Sequence, residues 1–255
     1  MKRMKKFNSG ALLIGLLLIP TLSSCLDDDN DRYHGYYDSL LSIATIQVND
    51  GKDYFFSLDD GKTLLPGDTL SIHNYQVKHG QRVFVYYNIL EENKSRYDYN
   101  GKIYLIENIL TKPVYNMPAE KEDSIGDDRI NLLASRLSNG HITMQFQYYG
   151  SGDPDKPHML NLVNNLDAEN PQGDYIDLEF RHNAFDDAPL NMGWGYVSFK
   201  INEDDTHIVY KGYRIRVNTL YDGVKYYTLD FKNVPRTGGV DSFKDMDDTE
   251  KMVAM

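Results

Sequence analysis

Ile176-Asp177-Leu178-Glu179-Phe180 and Val197-Ser198-Phe199-Lys200-Ile201 alternate strictly between apolar and polar residues. A period of two sends successive side chains to opposite faces of a strand, one face buried and one solvated. The pattern returns in Tyr213-Arg214-Ile215-Arg216-Val217 and in Tyr227-Thr228-Leu229-Asp230-Phe231. Nearer the N-terminus, Ala44-Ile46-Val48, Val83-Val85-Tyr87-Ile89, Ile103-Leu105 and Ile142-Met144-Phe146-Tyr148 extend the series. The chain is therefore predicted to be all-β, with antiparallel sheets. Asp50-Gly51, Asp60-Gly61, Asn100-Gly101, Asn139-Gly140 and Asp222-Gly223 fall between or beside these runs as turn signals, because they tolerate positive φ. No segment sustains a 3.6-residue apolar period, and residues 127–137 read as one more strand.

The alternation stops between Pro113 and Asp128, where Pro118, Gly126 and the acids Glu120, Glu122, Asp123 and Asp127 gather. That composition reads as an exposed linker at residues 117–128. It separates a unit at 40–116 from one at 129–243, sizes suited to a small barrel and a sandwich. Residues 244–255 form an acidic, unpatterned tail.

The chain has 255 residues, 41% of them hydrophobic, with 20 Tyr and 10 Phe against a single Trp. Its net charge is -11, and residues 1–24 hold Lys2, Arg3, Lys5 and Lys6 with no acid. Without them 23 basic side chains face 38 acidic ones, a net charge of -15. Such a chain repels phosphate backbones, which argues against a nucleic-acid partner. It also repels anionic membrane surfaces, so membrane attachment needs something other than a basic patch.

That something is at the N-terminus. Lys2 to Lys6 are followed by an apolar run at residues 10–19 and then by small residues up to Cys25, the one cysteine of the chain. The run is shorter than the roughly 20 residues that span a bilayer, so it reads as a signal peptide. Leu22-Ser23-Ser24-Cys25 resembles the lipobox of bacterial lipoproteins. The resemblance implies cleavage before Cys25 and acylation of its sulfur and amine. Two or three acyl chains anchor a protein stably where one does not. Asp27, Asp28 and Asp29, within a tether at 25–39, resemble the acidic export signal that sends Bacteroidetes lipoproteins to the outer face of the outer membrane. A calcium loop starting at Asp27 would need Gly and Glu where Arg32 and Asp38 stand.

Leu58-Asp-Asp-Gly-Lys-Thr-Leu-Leu65, Gly80-Gln-Arg-Val83 and Asn108-Ile-Leu-Thr-Lys112 resemble the N-terminal half of NigD-like lipoproteins. Asp123-Ser-Ile-Gly-Asp-Asp128, Met159-Leu-Asn-Leu-Val163 and Leu178-Glu-Phe-Arg-His-Asn-Ala184 resemble the C-terminal half. The likeness spans most of the mature chain. It implies an N-terminal OB-like barrel followed by a C-terminal immunoglobulin-like β-sandwich. The family name comes from an operon associated with a bacteriocin, which suggests an immunity role. It supplies no catalytic or ligand residues, and fold alone does not confer function.

No constellation in the sequence points to catalysis or a cofactor. Gly150-Ser151-Gly152-Asp153 lacks the G-x-S-x-G spacing and reads as a loop. The seven histidines, His34, His73, His79, His141, His158, His182 and His207, are scattered, with no zinc-site spacing. With 38 acids, a glycosidase-like carboxylate pair is uninformative. Phosphate loops are absent. Arg181-His182-Asn183 follows a strand; pairing of Arg and His with acids and a turn begun by Asn is the favoured reading, and a polar recognition tip is the other. Trp194, between two glycines, is either a rim or core aromatic or a recognition residue. Tyr36-Tyr37, Tyr86-Tyr87, Tyr148-Tyr149 and Tyr226-Tyr227 each place one ring on each strand face.

The chain thus reads as a non-enzymatic binding module anchored through lipid at the outer membrane, facing outward. Its partner would be an envelope protein or a glycan. Bacteriocin immunity or envelope protection is the alternative, and a glycan-binding or glycan-active accessory role is the second. Mass spectrometry of the native protein is expected to find a chain beginning at an acylated Cys25. An intact leader or an unmodified sulfur would overturn the address.

Overall fold

A computed structural model describes residues 39–49, 53–92, 96–165, 174–201 and 210–233. The signal peptide, Cys25, Asp27 to Asp29, Tyr36-Tyr37, Asp50-Gly51, His34, His207 and the tail lie outside the described residues.

The first unit is a five-stranded closed barrel: β1 (Leu40–Val48), β2 (Tyr54–Leu58), β3 (Thr63–Asp68), β4 (Arg82–Glu92) and β5 (Tyr99–Asn108), joined in the order β1-β2-β3-β5-β4. β4 closes it, pairing with both β1 and β5. The β4–β5 register shifts twice, between Tyr86 and Tyr87 and between Ile89 and Glu91. Such bulges bend a long strand around a barrel. Alternate residues point inward, so Ile46, Phe56, Leu64, Val85 and Ile103 fill the interior.

Asn100-Gly101, expected as a turn, lies inside β5 instead. Gly101 is there for space: a Cβ would come within 2.7 Å of Leu64 Cδ1 and 3.2 Å of the Asn88 carbonyl oxygen. A glycine in a strand marks this kind of close approach as often as a turn. The other described turn signals sit at or beside turns, with Gly61, Asn139, Gly140 and Gly223 at positive φ.

The second unit is a sandwich of two sheets. One has the order β14-β13-β11-β10-β7 and the other β6-β12-β9-β8. The strands are β6 (Leu110–Pro113), β7 (Tyr115–Met117), β8 (Asn131–Ser138), β9 (His141–Gly150), β10 (Met159–Asn165), β11 (Tyr175–Asn183), β12 (Asn191–Lys200), β13 (Gly212–Thr219) and β14 (Gly223–Asp230). Ile142, Met144, Phe146, Phe180, Phe199 and Val217 interdigitate between the sheets. Three pairings are parallel, β6 with β12, β7 with β10 and β11 with β13. They arise because the chain changes sheets: β11 and β13 share one sheet while β12 between them belongs to the other.

The barrel was expected to run to residue 116, with a linker at 117–128. The chain instead leaves the barrel after Asn108, and residues 110–117 form β6 and β7 of the sandwich. One short segment serves both sheets, and Val114 is the joint, its N–H bonded to the Lys200 carbonyl. The supposed linker is tied down too. Its single-turn helix α1 (Glu122–Ile125) places Glu122 on Arg181, and Asp127 receives a two-pronged bond from Arg216. Composition mistook an anchored corner for a free connection.

The two units are joined by a buried polar junction. Arg82, at the start of β4, is wholly buried and grips Asp59 through both terminal nitrogens at 2.6 Å. The guanidinium also donates to Thr45 Oγ1 at 3.1 Å on the barrel and Thr143 Oγ1 at 2.9 Å on the sandwich. The β8–β9 turn reaches across: Asn139 Nδ2 donates to Asp59 Oδ1 and to the Ser57 and Leu58 carbonyls. Beside this, Phe84 packs edge-on against Tyr196 at 4.8 Å, next to Ile43 and Ile109. Arg82→Ala is expected to cost about 3–5 kcal/mol in urea unfolding, because it leaves Asp59 buried without its cation. Replacing Arg82 and Asp59 together by Met and Leu should cost less than Arg82→Ala alone; equal or greater loss would refute this reading of the junction.

Candidate recognition site

The predicted tip residues divide into support and surface. Arg181 points to the outer face of the five-stranded sheet yet is buried among acids: Nε donates to Glu179 at 2.5 Å and one terminal nitrogen to Glu122 at 3.0 Å. Asp127 lies 3.5 Å from the other terminal nitrogen. His182, only 2% exposed, shares the core face with Leu178 and Phe180. Neither side chain is placed to meet a partner, which corrects that expectation. Asn183 starts a turn, its Oδ1 accepting from the Phe185 N–H at 2.8 Å. Trp194 is half-buried on the outer face of β12, edge-on to Tyr196.

The exposed apolar surface starts just beyond the predicted residues. Residues 184–190 connect β11 to β12, and in this loop Phe185 is 60% and Leu190 72% exposed. Phe185 and Asp186 adopt φ of 50° and 60°. The left-handed region costs a residue with a side chain roughly 1–2 kcal/mol, so the surroundings must hold it in place. Met192 follows, paired in register with Tyr149. Tyr149 shares a hydroxyl hydrogen bond of 2.8 Å with Tyr221, which is 64% exposed in the β13–β14 turn. Leu133 is exposed at the bulge of β8.

Alternation places Met192 and Trp194 of β12 and Tyr149 of β9 on one face. On β12, Gly193, Gly195, Val197 and Phe199 face the core side, while Met192, Trp194, Tyr196 and Ser198 face outward. At one end of that outward row, Tyr196 packs on Phe84 of the barrel and Ser198 bonds Thr143, which meets Arg82 of the barrel. At the other end Trp194 and Met192 remain uncovered by the barrel. Trp194 is a half-buried rim aromatic within this row.

The loop rests on a buried polar chain that no spacing rule announces. His182 Nδ1 lies 3.2 Å from the Arg129 carbonyl, and His182 Nε2 lies 2.9 Å from His158 Nδ1. His158 Nε2 lies 3.3 Å from Asp187 Oδ2, which also accepts the Ser151 N–H at 2.5 Å. Lys156 pairs with the other Asp187 oxygen at 3.4 Å. The Tyr148 ring stands edge-on to both imidazoles. Gly150 makes room, since a Cβ there would sit 3.0 Å from His158 Cε1. Burial, with His158 adding to it, pushes His182 down to about 4. The Ser151 hydrogen bonds hold Asp187 below the usual carboxylate range. The two histidines are 24 residues apart, and no spacing rule pairs residues brought together by strand register. Among the described residues no group of three or more His, Cys, Asp or Glu is placed to hold a metal ion. Nor, among them, is any helix long and apolar enough to cross a membrane.

The architecture defines a two-domain β protein in which an OB barrel is docked side-on to a β-sandwich. Residues 43–109 match the NigD-like N-terminal OB domain and residues 112–231 the NigD-like C-terminal β-sandwich domain. The chain belongs to the NigD-like family. Among solved structures it is similar to a protein from Parabacteroides distasonis named as toxin-related. That pair has 28% identity and a TM-score of 0.61, over 76% of this chain and 93% of the other. A NigD-like immunity protein from Bacteroides caccae has 14% identity and a TM-score of 0.54, over 74% and 92%. A protein from Bacteroides fragilis named as a lipoprotein has 13% identity and a TM-score of 0.56, over 76% and 98%. The latter two show the fold alone. No curated protein matches the sequence.

The pH dependence of stability follows from the His182 shift. Its folded value lies below the ordinary 6.5, so the fold favours neutral imidazole and the unfolded chain binds the additional proton. Its contribution is complete above about pH 6.5 and disappears as the pH falls towards 4, a loss of about 3 kcal/mol. Urea unfolding across this range should show that loss in the parent and a smaller one in His182→Gln.

Proposed function

We propose that this protein is a lipid-anchored envelope protein acting as a non-enzymatic binding module, with the sandwich tip as its recognition surface. The observation that carries this is Phe185, strained into the left-handed region and largely exposed above a buried supporting chain. Strain of this sort collects at ligand-contacting loops, because packing alone would not select it. Tyr, Trp, Met and Phe are the side chains enriched at protein interfaces. Loops at one end of a β-sandwich are also a common place to carry recognition. These features favour a protein partner over a glycan.

The barrel serves as a mount in this reading. OB folds commonly bind ligands across their strand 2–3 face. Here Ser57 and Asp59, at β2, are engaged by Asn139 of the sandwich, so part of that face is occupied internally. The lipobox at Cys25 and the acids Asp27 to Asp29 support an outer-membrane, outward-facing address. The B. fragilis neighbour named as a lipoprotein is consistent with that.

Immunity is the second reading, favoured by the names of the B. caccae and P. distasonis neighbours. It differs in what the tip would capture, a toxin protein rather than an envelope partner. A deletion strain should become more sensitive to neighbouring strains' toxins if immunity holds, and unchanged sensitivity would count against it.

Phe185→Gly tests the tip. Glycine adopts positive φ freely, so stability should be unchanged or higher. Capture of partners from intact envelopes should fall at least about tenfold, the scale of one lost interface anchor. Full capture by Phe185→Gly together with Leu190→Ser would overturn the assignment.

A further inference from the structure

We propose that the chain of His158, His182 and Asp187 is an acid-operated latch on residues 184–190: engaged at neutral pH, it presents Phe185, and released in acid, it withdraws the recognition surface. This rests on the reading of the tip as that surface and adds its regulation.

Hydrogen placement carries the argument. His182 Nδ1 faces a carbonyl oxygen and must donate to it. Neutral His182 then has a bare Nε2, so the hydrogen in the 2.9 Å contact belongs to His158 Nδ1. On its far side His158 Nε2 meets the Asp187 carboxylate and donates again. The hydrogens diverge from His158, which donates from both nitrogens, as an imidazolium paired with the Asp187 carboxylate does, while His182 passes its own hydrogen to the Arg129 carbonyl. A proton added to His182 Nε2 would oppose the His158 Nδ1 hydrogen head-on, inside a pocket with little access to water. The contact cannot survive that, and one ring must move.

The groups facing the chain are few. From the Ser151 loop come the Ser151 N–H and the Lys156 ammonium, and from β9 the uncharged Tyr148 ring. Ahead of β8, Asp128 lies near enough to favour charge on His182, and it accepts the Ala184 N–H at 2.8 Å. Asp187 couples the chain to the loop directly. Its carboxylate holds His158, Ser151 and Lys156, while its N–H bonds to the Ala184 carbonyl, bracketing the two strained residues. When the rings separate, Asp187 loses a partner next to a segment whose backbone already favours relaxation.

Hydrogen exchange by mass spectrometry on the mature full-length chain, corrected for intrinsic rates, tests the latch at pH 7.5 and pH 4. Protection across 184–190 should fall at least about tenfold in acid, while β12 around Val197 keeps its protection. His182→Gln, which cannot take up the proton, should show less than a twofold change. Nitrogen shifts of the imidazoles provide a check independent of stability: at pH 7.5 His182 should carry its hydrogen on Nδ1. Unchanged loop protection, joint opening of loop and β12, or a hydrogen on His182 Nε2 would each overturn the latch. If the latch opens as described but Phe185→Gly still captures partners fully, the latch stands and the recognition reading fails.

Discussion

A guanidinium deprived of water is the constraint around which this molecule is arranged. Arg82 has no solvent exposure, and moving such a cation out of water costs several kcal/mol unless its hydrogen bonds are replaced. Asp59 supplies two of them and the charge, Thr45 a third, and Thr143 of the other domain a fourth. The last contact makes separating the domains costly, since it would expose the pair to imperfect solvation and strip apolar cover from Phe84 and Ile43. Arg82 also begins β4, the strand that closes the barrel, so barrel closure and domain docking share a residue. A buried ion pair of this kind does more for specificity of arrangement than for net stability.

That arrangement bears on function by elimination. The docked sandwich takes part of the barrel face and half of its own outer sheet face. Part of what stays uncovered is the loop after β11 with Met192 and Trp194 of β12. There the chain holds a strained, exposed phenylalanine above a line of buried polar groups. Rings with few rotatable bonds and a backbone already held in place lose little entropy on binding. Strain held by a polar chain is also easier to release than strain held by apolar packing, because a proton can break the former.

Much of the fold was legible because period-two alternation survives wherever one strand face is dry. Ile176 to Phe180 is a case, with Leu178 and Phe180 buried and Asp177 and Glu179 less so; in β9 Ile142, Met144 and Phe146 feed the core as their parity predicts, although Thr143 and Gln145 on the other face are buried too. Legibility failed where one segment serves two environments. Residues 110–117 change sheets, so no single parity describes them, and Gly101 answers to the Leu64 side chain rather than to a turn. The candidate site was half legible. Trp194 and the end of β11 lie beside the loop proposed here as the recognition surface. The pairing of Arg181 with acids and the turn begun by Asn183 were readable from residue type, while the burial of His182 beside His158 was not, because strand register brings them together. Phe185 was overlooked because nothing in Ala184-Phe185-Asp186-Asp187 announces positive φ.

Relatives at 13% and 14% identity keep this fold, which shows how little of it depends on particular side chains. Alternation and sound turns can be written in many ways. The tip differs in kind. Moving Phe185 by one position, or replacing His158 with a residue of similar size, would leave both sheets intact and change what the loop presents. Knowledge of the family therefore reaches as far as the barrel and the sandwich and stops at the loops between strands. On the reading proposed above, the partner is to be sought through residues 184–192, with the His182 proton as the variable that alters them.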